Sequence, residues 1–279
     1  MDLVKVEEIV GGLDHPEGVA YGGDGNLYAT GELGQVYRIS LAEKTSVQIG
    51  SSGGFGLGLA LDADNNAYVC DLGAPGVVKV TPSGETSLYS QGTADEPLNV
   101  PNYPVFDAKG NLYVSHSGGW GEKNGRIYLI RPGGKAEVWL HGASDFTNGM
   151  ALSPDGRYLY VVESALPGIS RVLIKKDSTA GDVELVVMMP DTVPDGLAFD
   201  EKGDLYISCY VPDRIYRFTT GGKLEILFDD PIRRTLNAPT NLAFAGPKLD
   251  RLAIASLCGW SLAWVDVGAK GYPVHYPKL

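Results

Sequence analysis

Four oxygen-bearing side chains, Glu17, Asn102, Asn148 and Asp195, stand at one fixed place in a recurring pattern, eight residues before the turn that opens a strand. Two carboxylates and two amides offer only oxygen donors and two formal negative charges. Such a set suits a hard cation, with water filling the remaining positions. Calcium fits an irregular cage of this kind best; magnesium or manganese fits less well, and zinc also accepts carboxylate oxygen. Any one of the four has a plainer reading, because Asn and Asp commonly open strands through local side-chain turns. Recurrence at equivalent places favours a shared site, and three of the four are followed by glycine, at Gly18, Gly149 and Gly196.

The pattern that carries them is a turn followed by a strand: Gly25-Asn26-Leu27-Tyr28, Asn65-Asn66-Ala67-Tyr68, Gly110-Asn111-Leu112-Tyr113, Gly156-Arg157-Tyr158-Leu159-Tyr160, Gly203-Asp204-Leu205-Tyr206 and a looser copy at Asp250-Arg251-Leu252. Counted back from the turn, the equivalent positions are Glu17, Leu57, Asn102, Asn148 and Asp195, and the sixth copy, aligned on its upstream segment, gives Thr240; they are separated by 40, 45, 46, 47 and 45 residues. A period of about 40 to 50 residues with four short strands per unit predicts a β-propeller. The chain is therefore expected to be all-β, one six-bladed propeller domain over residues 1–279 with four-stranded antiparallel blades. The sixth unit lacks chain for its own outer strand, so Val4–Val10 is expected to close the ring. First strands line the tunnel of a propeller, so the four donors should converge near its axis at one face although they span most of the sequence.

Composition excludes several classes. A net charge of −11 lacks the basic footprint that nucleic-acid binding needs. The N-terminus, Met1-Asp2-Leu3-Val4-Lys5, has no basic start or apolar core of a secretory signal, and no apolar run approaches a membrane span. A cytoplasmic protein is expected, its oligomeric state open. Cys70, Cys209 and Cys258 cannot all pair, and read as free, largely buried thiols in a reducing compartment. There is no nucleophile elbow, phosphate loop or dinucleotide fingerprint.

His15-Pro16-Glu17-Gly18, Thr147-Asn148-Gly149-Met150 and Val193-Pro194-Asp195-Gly196-Leu197 resemble the metal-ligand segments of the senescence-marker-protein-30/gluconolactonase/luciferin-regenerating-enzyme family, and Asn102 matches a fourth asparagine that touches metal or substrate in relatives. The run from Asp204 to Cys209 and on to Arg217 is similar to that family's fifth blade. The resemblance covers nearly the whole chain. It implies a propeller with one catalytic divalent cation in the tunnel, and a lactonase in which Asp195 both ligates the cation and acts as general base while Glu17 anchors it. Where sugar-lactone members commonly have Arg two residues before Asn102 and Asp-Gly after it, this chain has Val100, Pro101, Tyr103 and Pro104. A bulky, less polar substrate is as credible here as an aldonolactone.

Asn102, Tyr103, His116, Trp120, Glu163 and Tyr210 are the candidate substrate-binding residues, although His116 reads more readily as a loop hydrogen-bonding residue and Glu163 equally as a structural carboxylate. His15 is a candidate partner of Glu17. The enzymatic expectation is a metal-dependent lactonase acting on a small lactone or ester. The alternatives are a calcium-stabilised interaction scaffold without turnover and a related esterase or phosphotriesterase.

Overall fold

A computed structural model describes residues 2–279 and shows six four-stranded antiparallel sheets arranged as the blades of a propeller. The innermost strands are Val19–Tyr21, Gly56–Leu61, Pro101–Phe106, Thr147–Leu152, Val193–Phe199 and Pro239–Ala245. Each packs against the innermost strands of the blades beside it, the sixth against the first. Glu7–Gly11 forms the outer edge of blade six, pairing with Ser261–Val265 from Glu7 opposite Trp264 to Gly11 opposite Ser261. The ring thus closes as expected, but the closing strand begins at Glu7 and not at Val4. Asp2 accepts a hydrogen bond from the Val4 amide and opens a short 3-10 turn over Leu3–Lys5.

The repeated turn has a local cause. Asp62 accepts from both the backbone and the side-chain nitrogen of Asn66, at 2.9 and 2.7 Å, and Asp107 holds Asn111 in the same way at the same distances. A carboxylate that ties down the residue opening the next strand acts as a side-chain turn. The tyrosine two residues further on then packs between blades. Tyr68, Tyr160 and Tyr206 meet Phe106, Phe199 and Phe244 of the following blade edge to face, with ring centroids 5.0 to 5.2 Å apart. These contacts have the geometry aromatic pairs prefer and add to the area they bury.

The feature that positions the site is a bulge repeated round the ring. In blades two to six the pairing of first and second strands slips at the same place, between Gly56 and Leu59, Pro101 and Pro104, Thr147 and Met150, Pro194 and Leu197, and Pro239 and Leu242. Bulges leave residues unpaired and re-aim their side chains, and here the released residues include Asn102, Asn148 and Asp195. Hydroxyl groups stitch the bulges together: Thr30 accepts from the Gly18 amide and donates to the Leu57 carbonyl, while Ser208 accepts from the Gly196 amide and donates to the Thr240 carbonyl. The blades approach so closely here that a Cβ on Gly149 would lie 2.1 Å from the Asp195 carbonyl oxygen. Gly149→Ala is therefore expected to cost about 3 kcal/mol through overpacking, read as a lowered midpoint in urea unfolding.

Below the bulges, Ala20, Ala60, Val105, Ala151, Ala198 and Ala243, one from each innermost strand, help to line an axial cavity of about 310 Å³. The tail over 272–276 covers its far end, where the Tyr276 hydroxyl donates to the Tyr21 carbonyl.

Candidate metal centre

Glu17, Asn102, Asn148 and Asp195 leave their innermost strands at the same end of the ring, and all are buried, with 4, 7, 3 and 3 % of their surface exposed. Each keeps one oxygen that is buried without a hydrogen-bond partner: Glu17 Oε2, Asn102 Oδ1, Asn148 Oδ1 and Asp195 Oδ1. Leaving a buried acceptor unmade costs about 1–3 kcal/mol, more when it is charged. Four such atoms at equivalent positions of one structure therefore point to a shared occupant that accepts oxygen donors.

Charge gives the same indication. Burial, and then the neighbouring Asp195, hold the Glu17 carboxyl well above the usual carboxylate range. Burial lifts Asp195 to about 7 against the opposing pull of a hydrogen bond from Asn148. Two acids forced together out of water are costly to ionise unless a positive charge joins them. An all-oxygen donor set with two carboxylates matches a divalent hard cation, so these residues fit such an ion.

The ligands are held from behind. Asn148 Nδ2 donates to Ser164 Oγ at 3.1 Å and to Asp195 Oδ2 at 3.4 Å, and Ser164 Oγ donates to the Pro194 carbonyl at 2.7 Å. The amide oxygen of Asn148 is thereby left as its free end. Thr240, the sixth-blade equivalent, donates its hydroxyl to the Glu17 carbonyl at 2.8 Å and so braces the first donor.

Of the other predicted residues, Tyr103 and Tyr210 lie within the field of the acid pair. Burial and then the charges of Asp195 and Glu17 push Tyr210 up to about 12, and burial, Glu17 and Asp195 raise Tyr103 as well. Tyr103 also lines the axial cavity. Trp120 is exposed and stacks at a tilt on Phe146, 5.0 Å between centroids. His116 is buried with Nε2 2.6 Å from Asn99 Oδ1; burial and then Arg126 lower it to about 4, so it is neutral at ordinary pH. Glu163 departs from a ligand-facing role: Oε1 accepts from Ser170 and Oε2 from the Asp145 amide. Asp71, at the same place in blade two, likewise accepts the loop amides of Gly54, Phe55 and Ala74. Both carboxylates tie loops to blades. His15 also turns from the expected partner, its Nδ1 lying 3.2 Å from Asp14 and 2.9 Å from Glu32. The thiols are free, but only Cys70 and Cys209 are buried, and Cys258 is exposed.

One residue escaped the sequence reading. Asn241 is fully buried, and both Oδ1 and Nδ2 lack a partner. It occupies the place of Gly18, Gly58, Gly149 and Gly196 in other blades, and an amide among those glycines was the available signal.

Residues 15–257 match the family model described as the SMP-30/Gluconolactonase/LRE-like region. The chain belongs to this family. Among curated relatives, lactonase drp35 of Staphylococcus saprophyticus is 23% identical over 253 residues, covering 86% of this chain and 78% of that protein. Strictosidine synthase-like 3 of Arabidopsis thaliana is 27% identical over 174 residues, 57% of this chain; the match spans only 44% of that protein's length. The gluconolactonase XC5397 of Xanthomonas campestris superposes with a TM-score of 0.79 at 21% identity, covering 94% of this chain and 89% of that one. The calcium-binding protein regucalcin of Agrobacterium tumefaciens gives 0.75 at 18% identity, covering 98% and 96%. These two structural likenesses speak for the fold.

Proposed function

We propose that this SMP-30/gluconolactonase-like chain is a lactonase dependent on a divalent cation, calcium before magnesium, manganese or zinc. The supporting observation is the set of four unpartnered buried oxygens on Glu17, Asn102, Asn148 and Asp195, which would hold the ion at the mouth of the tunnel. Bound there, such an ion supplies a Lewis acid for a carbonyl oxygen.

The chain supplies the rest. Asp195, buried among the four donors, is the carboxylate that would take a proton from water as general base. It accepts that proton as water attacks the lactone carbonyl, and returns it to the ring oxygen as the ring opens. Asn148 and Ser164 fix its orientation through the hydrogen bonds already described. Glu17, which a bound cation would favour in its ionised form, would anchor the ion. Asn102 and Asn148 present neutral oxygens, which hold the total charge at two. Tyr103, Tyr210 and Trp120 would offer apolar faces with polar tips to a substrate ring, and Phe146, stacked on Trp120, a purely apolar one. His116, neutral, donates its Nε2 proton to Asn99 Oδ1 and is thereby held in place.

A small lactone or ester is the partner. The acidic balance of the chain argues against nucleic acid. Among the described residues no helix is long and apolar enough to cross a membrane, and the free thiols suit the reducing conditions of the cytoplasm. Short-chain and aryl-substituted lactones, aryl esters and a phosphotriester, each offered with calcium, magnesium, manganese, zinc or excess chelator, test the reading. Lactone opening that disappears with chelator and returns with calcium is expected. Stabilisation by the ion with no turnover of any substrate would make the chain a calcium-braced scaffold instead.

A further inference from the structure

Blade six has no donor at the position that the other cation-facing blades use, because the Thr240 hydroxyl is committed to the Glu17 carbonyl. The next residue stands out. Asn241 has no exposed surface and neither of its side-chain polar atoms has a partner. Asn148 differs, since its nitrogen is occupied by Ser164 and Asp195 and its oxygen alone is free.

The backbone places Asn241 between the two acids. Its backbone N–H donates to the Glu17 carbonyl at 3.4 Å. A Cβ on Gly196, the residue after Asp195, would lie 2.8 Å from the Asn241 Cα. The bulge between Pro239 and Leu242 frees the residue from the strand ladder, and the neighbouring blades carry glycine at the matching places, Gly196 on one side and Gly18 on the other. Those glycines leave room for one side chain at the crowded centre. A buried carboxamide with both ends unmade costs roughly 1–3 kcal/mol for each group, and an apolar residue would avoid that cost.

We propose that Asn241 belongs to the cation site as a fifth protein donor, its Oδ1 joining those of Glu17, Asn102, Asn148 and Asp195. Its Nδ2 is left to hold a water or a substrate oxygen. Calcium takes six to eight oxygen ligands, so a fifth donor still leaves positions for substrate and water. The inference rests on the cation reading of the site and not on turnover.

Cation affinity of the whole chain, measured by calorimetry with calcium and by terbium luminescence, tests it. Asn241→Leu, of similar size, is expected to weaken calcium binding at least tenfold, while in chelator its thermal midpoint equals or exceeds that of the parent. Asn241→Asp keeps an oxygen at the same place and should restore or exceed parental affinity at pH 8. Parental affinity in Asn241→Leu would overturn the proposal, and so would a loss of affinity that Asn241→Asp fails to recover. A parent chain that binds neither ion would instead refute the four-donor site itself.

Discussion

Asp195→Asn is expected to lower kcat for lactone opening about a thousandfold, the range that a positioned base contributes, while KM changes little. The substitution keeps the shape of the side chain and one carbonyl-type oxygen. It removes the charge that Glu17 must otherwise tolerate in a buried place and the carboxylate that would take the proton from water. The variant should therefore fold, and in chelator it should melt above the parent, because one of two crowded acids is gone. Steady-state kinetics on a simple lactone, beside thermal melts with and without calcium, separates these effects. Turnover close to the parent's would move the role of base to another residue.

The second large effect is a pH dependence that reverses with the ion. Glu17 and Asp195 both titrate above the ordinary carboxylate range in the folded chain, so between about pH 4 and 7 the folded metal-free protein holds protons that the unfolded chain has released. Stability rises with pH only where the unfolded state binds more protons; here the folded state binds more, and stability contributed by these groups falls as pH rises. Each pH unit costs up to about 1.4 kcal/mol per group. In chelator the melting midpoint is expected to drop by about 5 °C or more from pH 5.5 to 8, a size consistent with about 2–4 °C per kcal/mol for a chain of this class. Calcium needs the ionised acids and competes with those protons. The stabilisation it gives should accordingly be largest at pH 8 and shrink towards pH 5.5. Melts across this range with and without calcium decide the matter: a calcium effect independent of pH would show that the ion does not sit on these acids.

Much of this was legible because a repeat turns weak local signals into a register. Asn102 or Asp195 alone is an ordinary strand-opening residue; the shared offset from Tyr113 and Tyr206 marked them as equivalent, and the bulges of blades three and five then released both side chains. What stayed hidden depended on backbone. The carboxylate of Glu163 is taken by an amide of the loop at Asp145, and no side-chain pattern announces such a partner. Adjacent residues also diverge once a strand is bulged: His15 points to Asp14 and Glu32 although it stands two places from Glu17. Asn241 was passed over for its neighbour Thr240, because identity of offset says nothing about which of two bulged residues has a free polar group. The closing strand begins at Glu7 because the three residues Leu3–Lys5 are taken up by a 3-10 turn capped by Asp2.

The seam of the ring has a consequence for the site. The strand Glu7–Gly11 leads within six residues to Glu17, and between them the Leu13 amide donates to the Trp260 carbonyl, while Pro16 accepts from the Ser256 amide. An ion that grips Glu17 together with Asn102, Asn148 and Asp195 would join the start of the polypeptide to its distant middle, a non-covalent clasp over a very long loop. Fraying at the N-terminus and escape of the ion would then be one coupled event: a chain that has lost its ion should become the more open to proteolysis near residues 7–17, and a chain cut there should hold its ion poorly.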